Sequence, residues 1–147
     1  MKVKECMCNK VIWVKSDVNV REVAKIMSDE HIGCLPVCDD ENKIIGLITD
    51  RDLVTRAVAV KKDIDKTKVD EIMTTHVYKI KPDNQVSEAS KIMCDCQIKR
   101  LPVIENEQIV GIITLGDLAN ENNVSSDEIG NTVQRICSCD DNPKNSD

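Results

Sequence analysis

Thr49 and Asp52, and again Thr114 and Asp117, stand three residues apart behind a glycine, in Gly46-Leu47-Ile48-Thr49-Asp50-Arg51-Asp52 and Gly111-Ile112-Ile113-Thr114-Leu115-Gly116-Asp117. A hydroxyl and a carboxylate at that spacing lie one turn apart at a helix start, where Thr caps backbone N–H groups and an ionised Asp accepts hydrogen bonds. On the residues alone, two readings stay open: each pair caps its helix, or it faces a ligand. Lys99-Arg100 sets two cations before Leu101-Pro102, and the planar fork of an arginine is well shaped to hold phosphate. The alternative there is a pair of solvated surface residues. The eight cysteines fall as Cys6/Cys8, Cys34/Cys38, Cys94/Cys96 and Cys137/Cys139, with no Cys-x-x-Cys, while His31 and His76 are isolated. That spacing does not read as a zinc site. No nucleophile has an oriented base beside it and no glycine-rich phosphate loop is present, so no enzyme is expected.

The elements that must position these residues are written twice. Val20-Arg21-Glu22-Val23-Ala24-Lys25-Ile26-Met27 returns as Val86-Ser87-Glu88-Ala89-Ser90-Lys91-Ile92-Met93, Leu35-Pro36-Val37 as Leu101-Pro102-Val103, and Ile44 to Leu53 as Ile109 to Leu118. The offset is 66 up to Asn42/Gln108 and 65 from Ile44/Ile109, so one residue is lost in a turn; 17 of the 33 aligned pairs are identical. Upstream, Lys2-Val3-Lys4-Glu5-Cys6-Met7 answers Lys68-Val69-Asp70-Glu71-Ile72-Met73. This is an internal duplication. A single unit of this size hides only about 60% of its surface, so two copies in one body are expected.

Within each repeat the period changes in a fixed order. Val11 to Val14 and Val77 to Ile80 predict strands. Val20, Val23, Ala24 and Met27, matched by Val86, Ala89, Ser90 and Met93, follow i, i+3, i+4, i+7 and predict a helix. Leu35 to Cys38 and Ile44 to Thr49 predict strands around a polar turn at 39–43, and Asp50 to Val60 a second helix. Each repeat is therefore β-α-β-β-α: repeat 1 over 1–60, a linker at 61–67, repeat 2 over 68–120, and a further region at 121–147. In that last region Ser125 and Glu128 form a capping-box pattern, and Ile129, Val133 and Ile136 follow at i, i+4, i+7. The helix they predict either seals the pair internally or joins two subunits. The residues from Asp140 to Asp147 read as a polar, frayed tail.

The repeats also test the cysteines. Cys6 stands where the other repeat has Ile72, and Cys38 where it has Ile104, so cysteine replaces core aliphatics there. Cys8 answers Thr74, Cys34 answers Arg100, Cys94 answers Ser28 and Cys96 answers Glu30, so these are not obligatory ligands. Cys137-Ser138-Cys139 is the group that packing explains least. With 41% apolar and 31% charged residues, the chain reads as globular. Its net charge of -6 disfavours a nucleic-acid duplex as partner. There is no run of 18 apolar residues and no apolar stretch at the start, so a soluble, cytoplasmic protein with free thiols and no membrane partner is expected.

Two β-α-β-β-α units, each with an apolar-Pro-Val strand and a Gly-x-x-Thr-x-x-Asp segment, resemble the cystathionine β-synthase (CBS) domain in its tandem form, the Bateman module. The resemblance covers residues 1 to 120. It implies an α/β (α+β) fold of two repeats packed pseudo-symmetrically as one CBS pair, with the C-terminal helix added. It also implies two composite clefts for adenosine-containing ligands. One would hold Thr49 and Asp52 with Ile80, Lys81, Lys99, Arg100 and Pro102; the other Thr114 and Asp117 with Val14, Lys15, Cys34 and Pro36. An ionised Asp can accept from both vicinal ribose hydroxyls, Ile80 and Val14 would offer adenine an apolar slot, and Gly46 and Gly111 would allow close backbone approach. Only one cleft carries the Lys99-Arg100 pair, where the first repeat has Gly33-Cys34, so the clefts are not equivalent. Arg51 and Arg56 would add charge.

The expected function is regulatory: a sensor for AMP, ADP, ATP or an S-adenosylmethionine-type effector, with no obligatory cofactor, signalling by conformational or oligomeric change as a homodimer. The alternative is a dimerisation or scaffold module with degenerate clefts and a cysteine-based redox or metal response. Asp52→Ala and Asp117→Ala are each expected to weaken binding about 10- to 100-fold with the fold intact, the worth of one charged hydrogen bond.

Overall fold

The apolar spacing that predicts two long helices produces them, with Val20, Val23 and Met27 buried in one and Val86, Ala89 and Met93 in the other. The structure, a computed structural model, describes residues 1–121 and 124–138. In chain order its elements are α1 (Val3–Cys6), β1 (Val14–Lys15), α2 (Val20–Glu30), β2 (Cys34–Cys38), β3 (Ile44–Thr49) and α3 (Asp50–Leu53), which runs on into a π-helical turn (Val54–Val58). A 3-10 turn (Val69–Glu71), α4 (Val86–Cys96), β4 (Arg100–Glu105), β5 (Gln108–Thr114), α5 (Leu115–Asn120) and α6 (Ser126–Ile136) follow. Both long helices stop alike. His31 and Gln97 occupy the same repeat position with φ of 54° and 53°, and the next N–H groups, of Ile32 and Ile98, reach back to the carbonyls of Met27 and Met93.

The chain forms two compact units that are not the two sequence repeats. One runs from Ile12 to Val77; the other combines Met1–Val11 with the described residues between Tyr78 and Ser138. We call them the Thr49 unit and the Thr114 unit. The lead-in segments account for the difference. In the Thr114 unit Val3 is fully buried, its N–H donates to the carbonyl of Asn84 (2.9 Å), and Val86 N–H donates to that of Met1 (3.0 Å). In the Thr49 unit Val69 is equally buried, donating to Val18 (2.7 Å), while Val20 donates to Thr67 (2.9 Å). Each unit thus takes the lead-in written in front of the other repeat. Lys2 and Lys4 bracket Asp83 at 3.1 and 2.8 Å, and their charges and hydrogen bonds lower its pKa.

In the Thr49 unit the sheet order is β1-β2-β3, with β1 parallel to β2 and β2 antiparallel to β3. In the Thr114 unit β4 and β5 pair antiparallel, and the expected strand at 77–80 shrinks to one bridge between Ile80 and Val103. Proline is the reason. Ser16 N–H extends the first ladder to the carbonyl of Cys38, whereas Pro82, at the same repeat position, has no N–H to give. The hairpin turns explain the change of offset. Asp39 caps a longer turn by accepting from Glu41 and Lys43 N–H, while Asn106 and Glu107, both at positive φ, make a two-residue link between Glu105 and Gln108.

Two further expectations change, and one left open is decided. The helix expected over 50–60 gives way after Leu53 to the π-helical turn. Ala24 is exposed, while its counterpart Ser90 is buried together with Cys94, because α6 lies on α4 in the Thr114 unit and the Thr49 unit has no such helix. The apolar stripe of α6 is covered internally rather than offered to a second subunit: Ile136 and Thr132 are buried, Ile129 packs on the core, Arg135 pairs with Asp95, and only Val133 is exposed. The cap from Ser125 to Glu128 N–H forms as expected (3.1 Å).

Gly46 and Gly111 have an unforeseen use. A Cβ on Gly46 would stand 2.5 Å from Met73 Sδ and 2.9 Å from the Thr74 carbonyl; on Gly111, 2.5 Å from Met7 Sδ and 3.0 Å from the Cys8 carbonyl. The close approach they allow is that of the lead-in segments, which bridge to β3 and β5 through Leu47/Thr74 and Cys8/Ile112. Gly46→Ala and Gly111→Ala are therefore each expected to cost about 1–3 kcal/mol through overpacking. Chemical denaturation of both variants checks this, and a cost near zero would show that the segments yield freely.

Candidate functional site

Each Thr-x-x-Asp segment sits where a strand turns into a helix, and the local hydrogen bonds follow from its spacing. Thr49 Oγ1 accepts from Asp52 N–H (3.1 Å), and Asp52 Oδ2 accepts from Thr49 N–H (3.0 Å). The same box forms at Thr114 and Asp117, at 3.1 and 2.8 Å, with the Thr114 hydroxyl also donating to Asp117 Oδ2 (2.9 Å). Helix capping is therefore present at both places.

Their surroundings differ. Asp52 is 1% exposed, and its Oδ1 lies 3.6 Å from Arg56 Nη1. Asp117 is half-buried, and among the described residues its Oδ1 accepts no hydrogen bond. The position matching Arg56 in the other repeat is Glu121, whose charge, with that of Asp117, helps to raise the Cys6 thiol behind the larger effect of burial.

Within the Thr114 unit, Arg100 is the strand partner of Thr114, and the carbonyl of Lys99 accepts from Leu115 N–H (2.8 Å). Lys99 is exposed and Arg100 half-buried, so both cations stand at the helix start that carries Asp117. In the Thr49 unit, Cys34 faces Thr49, and the Asp50 carboxylate lies over Gly33, 2.9 Å from where a Cβ would be. Pro36 and Pro102 are buried in their strands.

Several of the expected residues have structural contacts of their own. Val14 and Ile80 are core residues at 5% exposure. The Lys15 ammonium donates to the Asp39 carbonyl (3.0 Å) and to Asn42 Oδ1 (2.9 Å) and lies 5.4 Å from the Trp13 ring centre, tying down the hairpin turn. Lys81 is exposed and opens a turn, its N–H donating to Asn84 Oδ1.

Of the cysteines, Cys38 and Cys94 are buried, Cys6, Cys34 and Cys96 half-buried, and Cys8 and Cys137 exposed; Cys139 and the tail at 140–147 lie outside the described residues. Burial, and then Asp39, raises the Cys38 thiol. A raised thiol is a poor nucleophile and a poor metal ligand at neutral pH. Among the described residues no group of three or more His, Cys, Asp or Glu is arranged to hold a metal ion, and no helix is long and apolar enough to cross a membrane. Arg56 Nη1 donates to the Ile72 carbonyl and to Thr74 Oγ1, contacts that nothing in the sequence marked.

Comparison with known proteins agrees with this geometry. The CBS domain matches the chain twice, at residues 3–59 and 69–122. The CBS domain-containing protein YhcV of Bacillus subtilis is 34% identical over 134 residues, covering 91% of this chain and 94% of that one. The crystal structure of the CBS domain protein TA0289 of Thermoplasma acidophilum superposes with a TM-score of 0.79 at 26% identity, over 92% of this chain and 75% of that one. The CBS domain pair of protein MJ0100, solved with 5'-methylthioadenosine and S-adenosyl-L-methionine, gives a TM-score of 0.73 at 30% identity, over 81% and 97%. With two matches, two capped Thr-x-x-Asp junctions and the doubled fold, the chain belongs to the CBS domain family as a tandem pair.

Proposed function

We propose that this chain is a regulatory module that binds an adenosine-containing ligand, of the AMP, ADP, ATP or S-adenosylmethionine type, and signals by a change of conformation or oligomeric state. The observation that carries the reading is Asp117: a half-exposed carboxylate at a strand-to-helix junction, with one oxygen held by Thr114 and the other accepting nothing among the described residues. That is the arrangement a ribose needs, since a fixed carboxylate accepts from hydroxyls without first losing a partner. The adenosyl ligands in the MJ0100 structure support the ligand class. Arg100, which the resemblance groups with Thr49 and Asp52 rather than with Asp117, is the cation we assign to a ligand phosphate. We take the molecule as a homodimer, with the exposed Val54, Val58 and Val60 as apolar surface for a second copy.

A thermal-shift panel of AMP, ADP, ATP, S-adenosylmethionine and 5'-methylthioadenosine tests the reading. A true ligand at 100 times its Kd adds about 2.7 kcal/mol of stability, a rise of several degrees. Asp117→Ala should weaken that ligand about 10- to 100-fold by calorimetry, and Arg100→Ala should weaken a phosphorylated ligand more than adenosine. A panel with no shift would replace this reading by that of a scaffold with degenerate clefts.

A further inference from the structure

Equivalent strand starts in the two units carry opposite charge. In the Thr114 unit Lys99 and Arg100 lead into β4, and the Lys99 carbonyl accepts from Leu115 N–H (2.8 Å), the residue after the cap. In the Thr49 unit Gly33 and Cys34 hold the two cation places, and Asp50 stands where the other repeat has Leu115. Asp50 N–H donates to the Gly33 carbonyl (3.0 Å), so the backbone contact is the same in both units. The side chains differ: two cations and a leucine in one, a glycine, a cysteine and a carboxylate in the other.

The carboxylate lies against the strand start itself. A Cβ on Gly33 would stand 2.9 Å from Asp50 Oδ2 and 3.6 Å from Oδ1, so the bare glycine leaves room for it. Asp50 is exposed, and its Oδ1 accepts from Arg51 N–H (2.9 Å). The cation that the resemblance groups with Cys34 is Lys15, which pairs beside Cys38, four residues along β2. That separation is about 13 Å at ~3.3 Å per residue, beyond the ~10 Å over which exposed charges escape screening by salt. The Lys15 ammonium is also turned to the hairpin, where the Asp39 carbonyl and Asn42 Oδ1 accept from it.

We propose that Asp50 is a specificity-determining residue: it makes the strand start at Gly33-Cys34 refuse phosphate, so that the cleft containing Cys34 takes an adenosine whose 5' substituent is uncharged or cationic, while Lys99-Arg100 serves a phosphorylated ligand. A phosphate brought to Gly33 and Cys34 meets a like charge in Asp50 and no side-chain cation at either position. The ligand class rests on the adenosyl reading above, and the grouping of Cys34 with Asp117 on the resemblance; the repulsion of anions at Gly33-Cys34 rests on neither. The two clefts then differ in the ligand they take, rather than in their affinity for one ligand.

The half-buried Cys34 thiol reads the local charge without any ligand. Iodoacetate and iodoacetamide alkylate the same thiolate, so the ratio of their products at Cys34, measured by mass spectrometry, cancels thiol acidity and reports the effect of the reagent's charge. Asp50→Asn keeps an acceptor for Arg51 N–H; it should raise the iodoacetate share about threefold at low salt and much less at about 0.5 M salt. An unchanged ratio overturns the proposal. Calorimetry then reads the ligand, in the Arg100→Ala background so that the other cleft lacks its phosphate cation. There AMP should bind about threefold more tightly in Asp50→Asn and about tenfold more tightly in Asp50→Lys, with 5'-methylthioadenosine changing by less than about twofold. Equal shifts for the two ligands overturn the proposal, because Asp50 then acts through the fold. A Cys34 ratio that follows Asp50, with neither ligand bound by any variant, keeps the exclusion of anions and removes the adenosyl reading. Both ligands bound, with affinities blind to Asp50, keep that reading and remove Asp50 from it.

Discussion

Asp52→Ala is expected to lower stability by about 2–3 kcal/mol and Asp117→Ala by about 1 kcal/mol, although the two residues are equivalent in the repeat. Both substitutions delete the carboxylate that accepts from the N-cap N–H, at 3.0 Å in one case and 2.8 Å in the other. The difference lies in what replaces it. Around Asp117, half-exposed, water can satisfy the freed Thr114 groups. Around Asp52, 1% exposed, it cannot do so readily, and Arg56 loses its anionic partner as well. The expectation that both variants keep the fold equally intact therefore holds better for Asp117. Guanidinium unfolding of the two variants is the check, and equal losses would mean that the burial of Asp52 carries no energetic weight. It follows that a binding defect in Asp52→Ala has to be read against its stability, while the one in Asp117→Ala reports on the ligand directly.

Val3→Ala should loosen residues 78–138 and leave 12–77 nearly untouched, and Val69→Ala should do the reverse, each at a cost of about 2 kcal/mol from lost burial and the cavity left behind. Val3 is packed with the core that holds Leu101 and Ile113, and Val69 with the core that holds Leu35 and Ile48. Native-state exchange resolves the two cores by these amides. If the sequence repeats were the packing units, the pattern would be inverted, with Val3→Ala exposing Leu35 and Ile48. That outcome would refute the exchange of lead-in segments.

What could be read from the sequence were interactions closed within a few residues. The cap from Thr to Asp spans three positions, the helix stripe from Val20 to Met27 spans seven, and the hairpin joining β2 to β3 is bounded by its own strands, so the pattern of residue types contains both partners of each contact. The duplication then showed that the pattern was meant twice. What the sequence could not contain was the neighbour supplied from far along the chain. Ala24 and Ser90 occupy the same position on equivalent helices, and only the placement of α6 buries the second of them. Gly46 and Gly111 read as room for a ligand until Met73 and Met7 were found in that room. Lys15 was legible only as a member of an implied cleft; that its ammonium ties down the hairpin turn through Asp39 and Asn42 was not. Asp52 and Asp117 were identical in the repeat, and the tertiary structure separated them, because the accessibility of a carboxylate depends on what packs over it rather than on the residues beside it in the chain.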